Sequence, residues 1–344
     1  NGIGLLVGGL MIPILALMSL GEGSFFDGLT ILGTDKPEYL RVLTQENFEG
    51  KQVSVPWPTL LTGMMFIQIF YWSTNQVIVQ RAMAAKSLAE GQKGVLFASA
   101  MKLVGPLMLC LPGIIALHMP DLEIEKQDQV YGAVVRHVLP DWSLGLFAAV
   151  LMGSILSSFN SALNSASTLF SLQFYKGYMN ANATEIDIVS TGKKFGIILA
   201  VASIIIAPLL AQLDSIFQYL QKINGIYSVP IIAIFLLGIL TKHIPALGAK
   251  IGMIVGFISY AYFVFFPIEN LHWLHMYFIS FTWSIMVMLL VGYLKPKSKK
   301  EIEISDERDP SPVDMTPWPK AKEASIVIVA VTILIYVLLS SISA

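Results

Sequence analysis

Residues 143–172 read SLGLFAAVLMGSILSSFNSALNSASTLFSL. Not one Asp, Glu, Lys, Arg or His interrupts this stretch, and it exceeds the about 20 mostly apolar residues that a helix needs to cross a bilayer. Working outward from it, the same test selects segments at about 3–20, 59–80, 94–117, 195–213, 216–241, 246–267 and 272–294, and another at 323–343 closes the chain. The composition agrees: 344 residues are 55% hydrophobic and 13% charged, where soluble domains carry roughly 25% charged residues. Mean hydropathy is +0.69. These figures exclude an ordinary soluble enzyme and predict an all-α polytopic membrane protein of nine spans. We expect one membrane domain over 1–344, with long polar connections at 21–58, 118–142 and 295–322.

Basic and acidic residues number 22 and 23, for a net charge of −1, so there is no field to hold a polyanion and nucleic acid is excluded as a partner. The one cysteine, Cys110, can form neither an internal disulfide nor a structural zinc site; in its apolar run it reads as a small buried packing residue. The chain opens Asn1-Gly2-Ile3-Gly4, with no initiator Met and no basic stretch before its first apolar run. We therefore expect that run to be a span rather than a signal peptide, and the sequence to be part of a longer one.

Lys and Arg are retained on the cytoplasmic side of a membrane, and alternate connections sort by this rule. One side holds fifteen basic residues, among them Arg81, Lys86, Lys93, Lys176, Lys193, Lys194 and Lys295, and the other holds five: Lys36, Arg41, Lys51, Lys126 and Arg136. This predicts residue 1 inside, the 21–58 and 118–142 loops outside, a cytoplasmic linker at 295–322 and, after nine crossings, an extracellular C-terminus.

Apart from Lys250 and Glu323 near the ends of theirs, two basic residues remain inside predicted spans, Lys102 and Lys222, with no carboxylate within the hydrocarbon to pair with them. An intramembrane cation costs roughly 2.5–3.5 kcal/mol on insertion scales and marks a candidate functional position. Lys102, about eight residues into its span, either snorkels to the cytoplasmic edge or points into a polar cavity. Lys222, about two turns from the outer end of its span, snorkels more easily.

Within 59–80, Gln68, Tyr71, Trp72, Asn75 and Gln76 are spaced to share one helical face. Amides and amphipathic rings suit a neutral polyhydroxylated ligand, with rings against the apolar sugar face and amides exchanging hydrogen bonds with hydroxyls. Interhelical hydrogen bonding is the competing reading. Within 143–172, Ser154, Ser157, Ser158, Ser161 and Ser165 form a hydroxyl stripe interleaved with Asn164. It reads either as close helix packing or as oxygen ligands for a hard cation such as Na⁺, aided by carbonyls freed near a helix irregularity. Gln221, Asn224, Gly225 and Pro230 mark 216–241, where the proline predicts a kink.

The run Tyr71-Trp72-Ser73-Thr74-Asn75-Gln76-Val77-Ile78-Val79-Gln80-Arg81, with Ala84-Ala85-Lys86 after it, resembles the sodium/glucose cotransporter branch of the sodium:solute symporter family. So does Ser157-Ser158 followed by Asn164-Ser165-Ala166-Ser167-Thr168-Leu169-Phe170. A third similarity is Gly238-Ile239 with Gly248-Ala249 and Gly252, although His243 stands where the family has Lys or Arg. The resemblance runs along the whole chain.

It implies part of a LeuT-type inverted-repeat fold: the last helix of repeat one, all of repeat two and three peripheral helices, with binding at the bilayer midplane. It also implies a multi-pass protein of the plasma (inner) membrane. Tyr71 is then the aromatic gate under the sugar and Trp72 its neighbour, Lys102 the sugar-contacting lysine, and Gln221 the glutamine that binds sugar hydroxyls. Ser157 and Ser158 are the hydroxyl ligands of the sodium site, with the Ser154 carbonyl as a third. Gln68 replaces a shorter Asn or Thr, and Ser154 a usual Ala. The implied activity is sodium-coupled uptake of a monosaccharide or polyol, with Na⁺ as the co-transported ion and the remaining ligands on N-terminal helices outside this sequence. A sodium-gated sugar sensor or a leak channel keeps the same residues and stays open. No bond is made or broken, so no enzymatic activity is expected.

Overall fold

In lipid, every backbone polar group must be satisfied within its own segment, and the chain meets that condition with helices. The structure, a computed structural model, describes residues 2–40, 55–122, 124–213, 215–268, 271–298 and 313–342. Among the described residues there is no strand; Ser87 and Asp314 form a lone bridge. Seven helices among the described residues are long and apolar enough to cross a membrane. They are α1 (Gly2–Leu20), α9 (Asp141–Leu169), which continues as a wider π-helix over Phe170–Met179, α10 (Glu185–Leu210), α11 (Ile216–Leu240), α12 (Ala246–Phe265), α13 (His275–Leu294) and α14 (Ala321–Ile342). α11 runs unbroken through the fully buried Pro230.

Two of the nine expected spans are not single straight helices. The segment 59–80 forms a π-turn at Leu60–Met64, helix α3 (Met65–Ser73), a break, and helix α4 (Gln76–Met83). The break has a local cause. The Ser73 and Thr74 hydroxyls donate to the Ile69 and Phe70 carbonyls (2.5 and 2.9 Å), while Asn75 leaves the helical region and accepts the Val77 N–H on its own side chain (3.0 Å). Such side chains offer the backbone an alternative to the helical ladder. The segment 94–117 becomes α5 (Leu88–Lys102), α6 (Gly105–Leu109) and α7 (Leu111–Ala116), bent by 42° between Lys102 and Gly105. Pro106 and Pro112 sit in the first turns of α6 and α7, where the lost N–H is harmless but a continuing upstream helix would clash with the ring. Cys110 lies at the α6–α7 joint and is exposed, so its expected burial is corrected: the joint turns the thiol out of the packed face.

The chain divides into two compact units. One comprises Asn1–Arg41, Leu96–Ile216 and Lys322–Ala344, the other Val42–Val95 and Phe217–Ala321. In the first, α1 buries Ile12, Ala16 and Leu17 against Ile115 of α7, Phe147 of α9 and two short helices from the 21–58 and 118–142 loops, α2 (Phe25–Thr34) and α8 (Val130–Val138). Those loops are thus partly folded, contributing Leu32, Val134 and Val135 to the core; residues 41–54 of the first loop lie outside the described residues. Each such side chain contributes about 1.5–3 kcal/mol through burial.

In the second unit, Phe66 stacks on Phe281 (4.1 Å between centroids) and Phe70 meets Tyr227 edge-on (5.8 Å). α12 turns Gly248, Gly252 and Gly256, all buried, toward α13. Small residues at this spacing let helices approach closely in lipid. The contact is fastened by Ser280, whose hydroxyl donates to the Gly256 carbonyl (2.7 Å) and accepts from Ser259 (3.2 Å).

Candidate functional site

The residues singled out by sequence fall in both units. In the second unit, α3 buries Phe66, Ile67 and Phe70, so the helical period turns Gln68 and Tyr71 to the opposite side. Both are exposed, Tyr71 by 42%, and Trp72 is half-buried. The Tyr71 and Trp72 rings meet nearly at right angles, 5.6 Å apart. The expected five-residue polar face is corrected here: it ends at Trp72, because Asn75 caps α4 and Gln76 begins it. An N-cap contributes about 1 kcal/mol, so Asn75→Ala is expected to fray the first turn of α4, read as faster amide exchange at Val77 with α3 unchanged.

Gln221 is half-buried on α11, and its backbone carbonyl accepts the Tyr277 hydroxyl of α13 (2.6 Å). That ring lies so close to Gly225 that a β-carbon there would overlap it. Sequence alone gave no sign of this bond, which fixes the turn of α11 that carries Gln221. Two residues further, Tyr227 donates to the Asn224 side chain (2.7 Å). The Lys222 ammonium stands 5.9 Å from the Trp273 ring centroid, within the range of a cation–π contact.

In the first unit, Lys102 is exposed at the C-terminal end of α5. The expectation of a lysine about eight residues into a span is corrected, since α5 begins at Leu88 and the span bends directly after Lys102. A cation there also complements the negative end of the helix dipole. On α9, Ser157 and Ser158 are exposed and Ser154 is half-buried, with its hydroxyl donating to the Val150 carbonyl (2.9 Å). The Ser161 hydroxyl donates to the Ser157 carbonyl (2.9 Å). α9 is regular through Leu169 and widens only at Phe170, so the carbonyls beside the serines, that of Ser154 included, have only their second lone pair to offer an ion, next to the Ser157 and Ser158 hydroxyls. Such a neutral oxygen set suits a hard alkali ion. Among the described residues no group of three or more His, Cys, Asp or Glu side chains could hold a metal ion.

A second polar row escaped the sequence reading. Asn160, Asn164, Ser167, Thr168 and Ser171 line an open groove of about 700 Å³ between α9 with its π-extension and α10, together with Lys193. Buried Gly192 and Gly196 of α10 face Ser171 and Ser167 there. The spacing 160, 164, 167, 171 was available as a signal, but it runs beside the serine stripe and is separable from it only once α10 is in place.

A model of the sodium:solute symporter family matches residues 1–256. The chain is 40% identical over 337 residues to the uncharacterized symporter YidK of Escherichia coli (strain K12), a match covering 98% of this chain and 57% of that protein. It is 30% identical over 284 residues to the sodium/glucose cotransporter of Vibrio parahaemolyticus, covering 77% and 52%. It is also 30% identical over 220 residues to sodium/myo-inositol cotransporter 2 of Bos taurus, covering 59% and 32%. The chain thus spans about half the length of these two bacterial relatives. The names are those of symporters and cotransporters, not of enzymes. With its helices, its uncharged hydroxyl-bearing span and a family match over most of its length, this chain belongs to the sodium:solute symporter family.

Proposed function

We propose that the protein performs sodium-coupled uptake of a monosaccharide or related polyol by alternating access. Ser157 and Ser158, with the Ser154 carbonyl, hold the ion; Gln68, Tyr71, Trp72, Lys102 and Gln221 contact the solute, while Asn75 caps α4. The observation that carries this reading is the serine pair: two adjacent exposed hydroxyls within the charge-free stretch 143–172 of α9, in a member of a sodium:solute symporter family. The names of the glucose and myo-inositol cotransporters support the solute class. The uncharged character of the amide and aromatic side chains on α3 supports a neutral, hydroxyl-rich solute.

In this reading the chain supplies the last helix of one inverted repeat, the whole of the next and three further helices of a single membrane domain. It sits in the plasma (inner) membrane with residue 1 inside and its C-terminus outside. Ion and solute favour the same conformers, so each raises the other's affinity, and the inward ion gradient gives direction, its membrane-potential part contributing about 2.3 kcal/mol per charge per 100 mV before the concentration term.

The test is equilibrium binding to the reconstituted protein. Lys102→Ala is expected to weaken solute binding at least about tenfold, the equivalent of one charge-assisted hydrogen bond, while sodium binding stays near wild type. Solute binding unchanged in Lys102→Ala would remove the lysine from the site.

A further inference from the structure

The end of the 295–322 connection lies along the start of α5. The Leu88 N–H donates to the Asp314 carbonyl (2.9 Å), Ser87 and Asp314 pair as a parallel bridge, and the Trp318 N–H donates to the Gln92 side-chain oxygen (2.7 Å). A helix start leaves backbone N–H groups unsatisfied. Here Ser87 Oγ accepts the Glu90 N–H (3.3 Å), and a residue more than two hundred positions away accepts that of Leu88.

The segment is stiff in itself. The Asp314 carboxylate accepts both the Thr316 N–H (2.9 Å) and O–H (2.6 Å), and Pro317 and Pro319 fix the backbone on either side of Trp318. At the other end of the connection the Lys297 N–H donates to the His243 carbonyl (3.0 Å); residues 299–312 lie outside the described residues. Three residues after Trp318, α14 begins. α5 is one continuous helix of 15 residues, about 22 Å long at the helical rise, and it ends at Lys102 beside the 42° bend.

We propose that Asp314–Trp318 is a strap tying the start of α14 to the start of α5, so that displacement of the 295–322 connection is delivered along α5 to the bend at Leu103–Val104. That the bend carries a solute-contacting lysine rests on the function proposed above; the strap does not. The strap makes the connection a lever on a span, through which a binding event or a modification on the linker reaches the membrane-embedded bend.

The Thr316 side-chain hydrogen bond, and after it the Thr316 backbone bond, hold the Asp314 carboxyl below the ordinary carboxylate range. A group depressed in the folded state stabilises fully above its unfolded pKa of about 4 and loses that contribution as pH falls through the lower folded value. The strap is therefore expected to loosen only in acid, and Asp314→Asn to abolish this pH dependence of amide exchange at Leu88.

The deciding experiment is hydrogen exchange on the full-length protein in lipid, read without reference to uptake. Gln92→Ala is expected to speed exchange at least about tenfold at the first turn of α14 and at the residues flanking Leu103–Val104. In a Cys110→Ser background, a Ser87→Cys, Asp314→Cys pair is expected to cross-link under mild oxidation and to slow exchange at those same places. Faster exchange confined to 314–318, or no change at the bend, would overturn the relay, and failure of the pair to cross-link would overturn the strap itself. Because neither readout needs transport, these results remain distinguishable from failure of the proposed sugar uptake.

Discussion

Replacing Ser157 and Ser158 together by alanine is expected to abolish sodium-dependent solute binding while leaving the protein folded. Both hydroxyls are exposed on α9, so their removal opens no cavity, and the α9 contacts through Ser143, Phe147 and Ser165 are untouched. A hydroxyl that meets a full charge contributes about 1.5–3 kcal/mol. Each single alanine should then raise the half-saturating sodium concentration roughly 10- to 100-fold, and the pair should carry it beyond practical concentrations. Sodium titration of solute binding in single and double variants measures this. Ser161→Ala, one turn on, loses a hydrogen bond to the Ser157 carbonyl and is expected to shift the midpoint little.

The second large effect is structural. Gly225→Val is expected to destabilise the second unit by about 3 kcal/mol, the upper part of the usual range for overpacking. A β-carbon at 225 overlaps the Tyr277 ring and crowds that of Tyr260. Tyr260 and Tyr277 are almost wholly buried, 5.0 Å apart, so neither ring can swing into solvent. If Tyr277 is forced aside, its bond to the Gln221 carbonyl breaks, and solute binding should weaken together with the melting temperature. Tyr277→Phe isolates the second consequence: it keeps the packing, loses the hydroxyl, and is expected to lower solute affinity with a smaller loss of stability. Thermal unfolding in detergent alongside solute titration separates the two.

The fold was legible where lipid imposes the rule. Five spans appear within three residues of their expected limits, because exclusion of charge over about 20 residues is a demand few other structures make; the other two run on past theirs, α9 through its π-extension to Met179 and α10 from as early as Glu185. The same averaging concealed the two interruptions. In 59–80 the mean stayed apolar across Ser73-Thr74-Asn75, although that run carries the hydroxyls and amide of a helix end followed by a new cap. In 94–117, Pro106 and Pro112 mark the joints, but a proline alone does not decide a break, since α11 absorbs Pro230 without one.

At the candidate site, Lys102 and the serines were found by rarity and by period, two properties of a single helix. What was missed depends on partners distant in sequence. The Tyr277–Gln221 bond joins positions 56 apart, the α9–α10 groove needs Gly192 and Gly196 opposite Ser171 and Ser167, and the strap joins positions 226 apart. No local pattern encodes such pairings.

The most direct measurement is tracer accumulation in proteoliposomes holding the full-length protein under an inward sodium gradient, with glucose and myo-inositol as probes. The account predicts that one of them reaches an internal concentration well above the external one, and that collapsing the gradient with a sodium ionophore returns it to equality. Equilibration without accumulation, or sodium-dependent binding with no internal tracer, would contradict it.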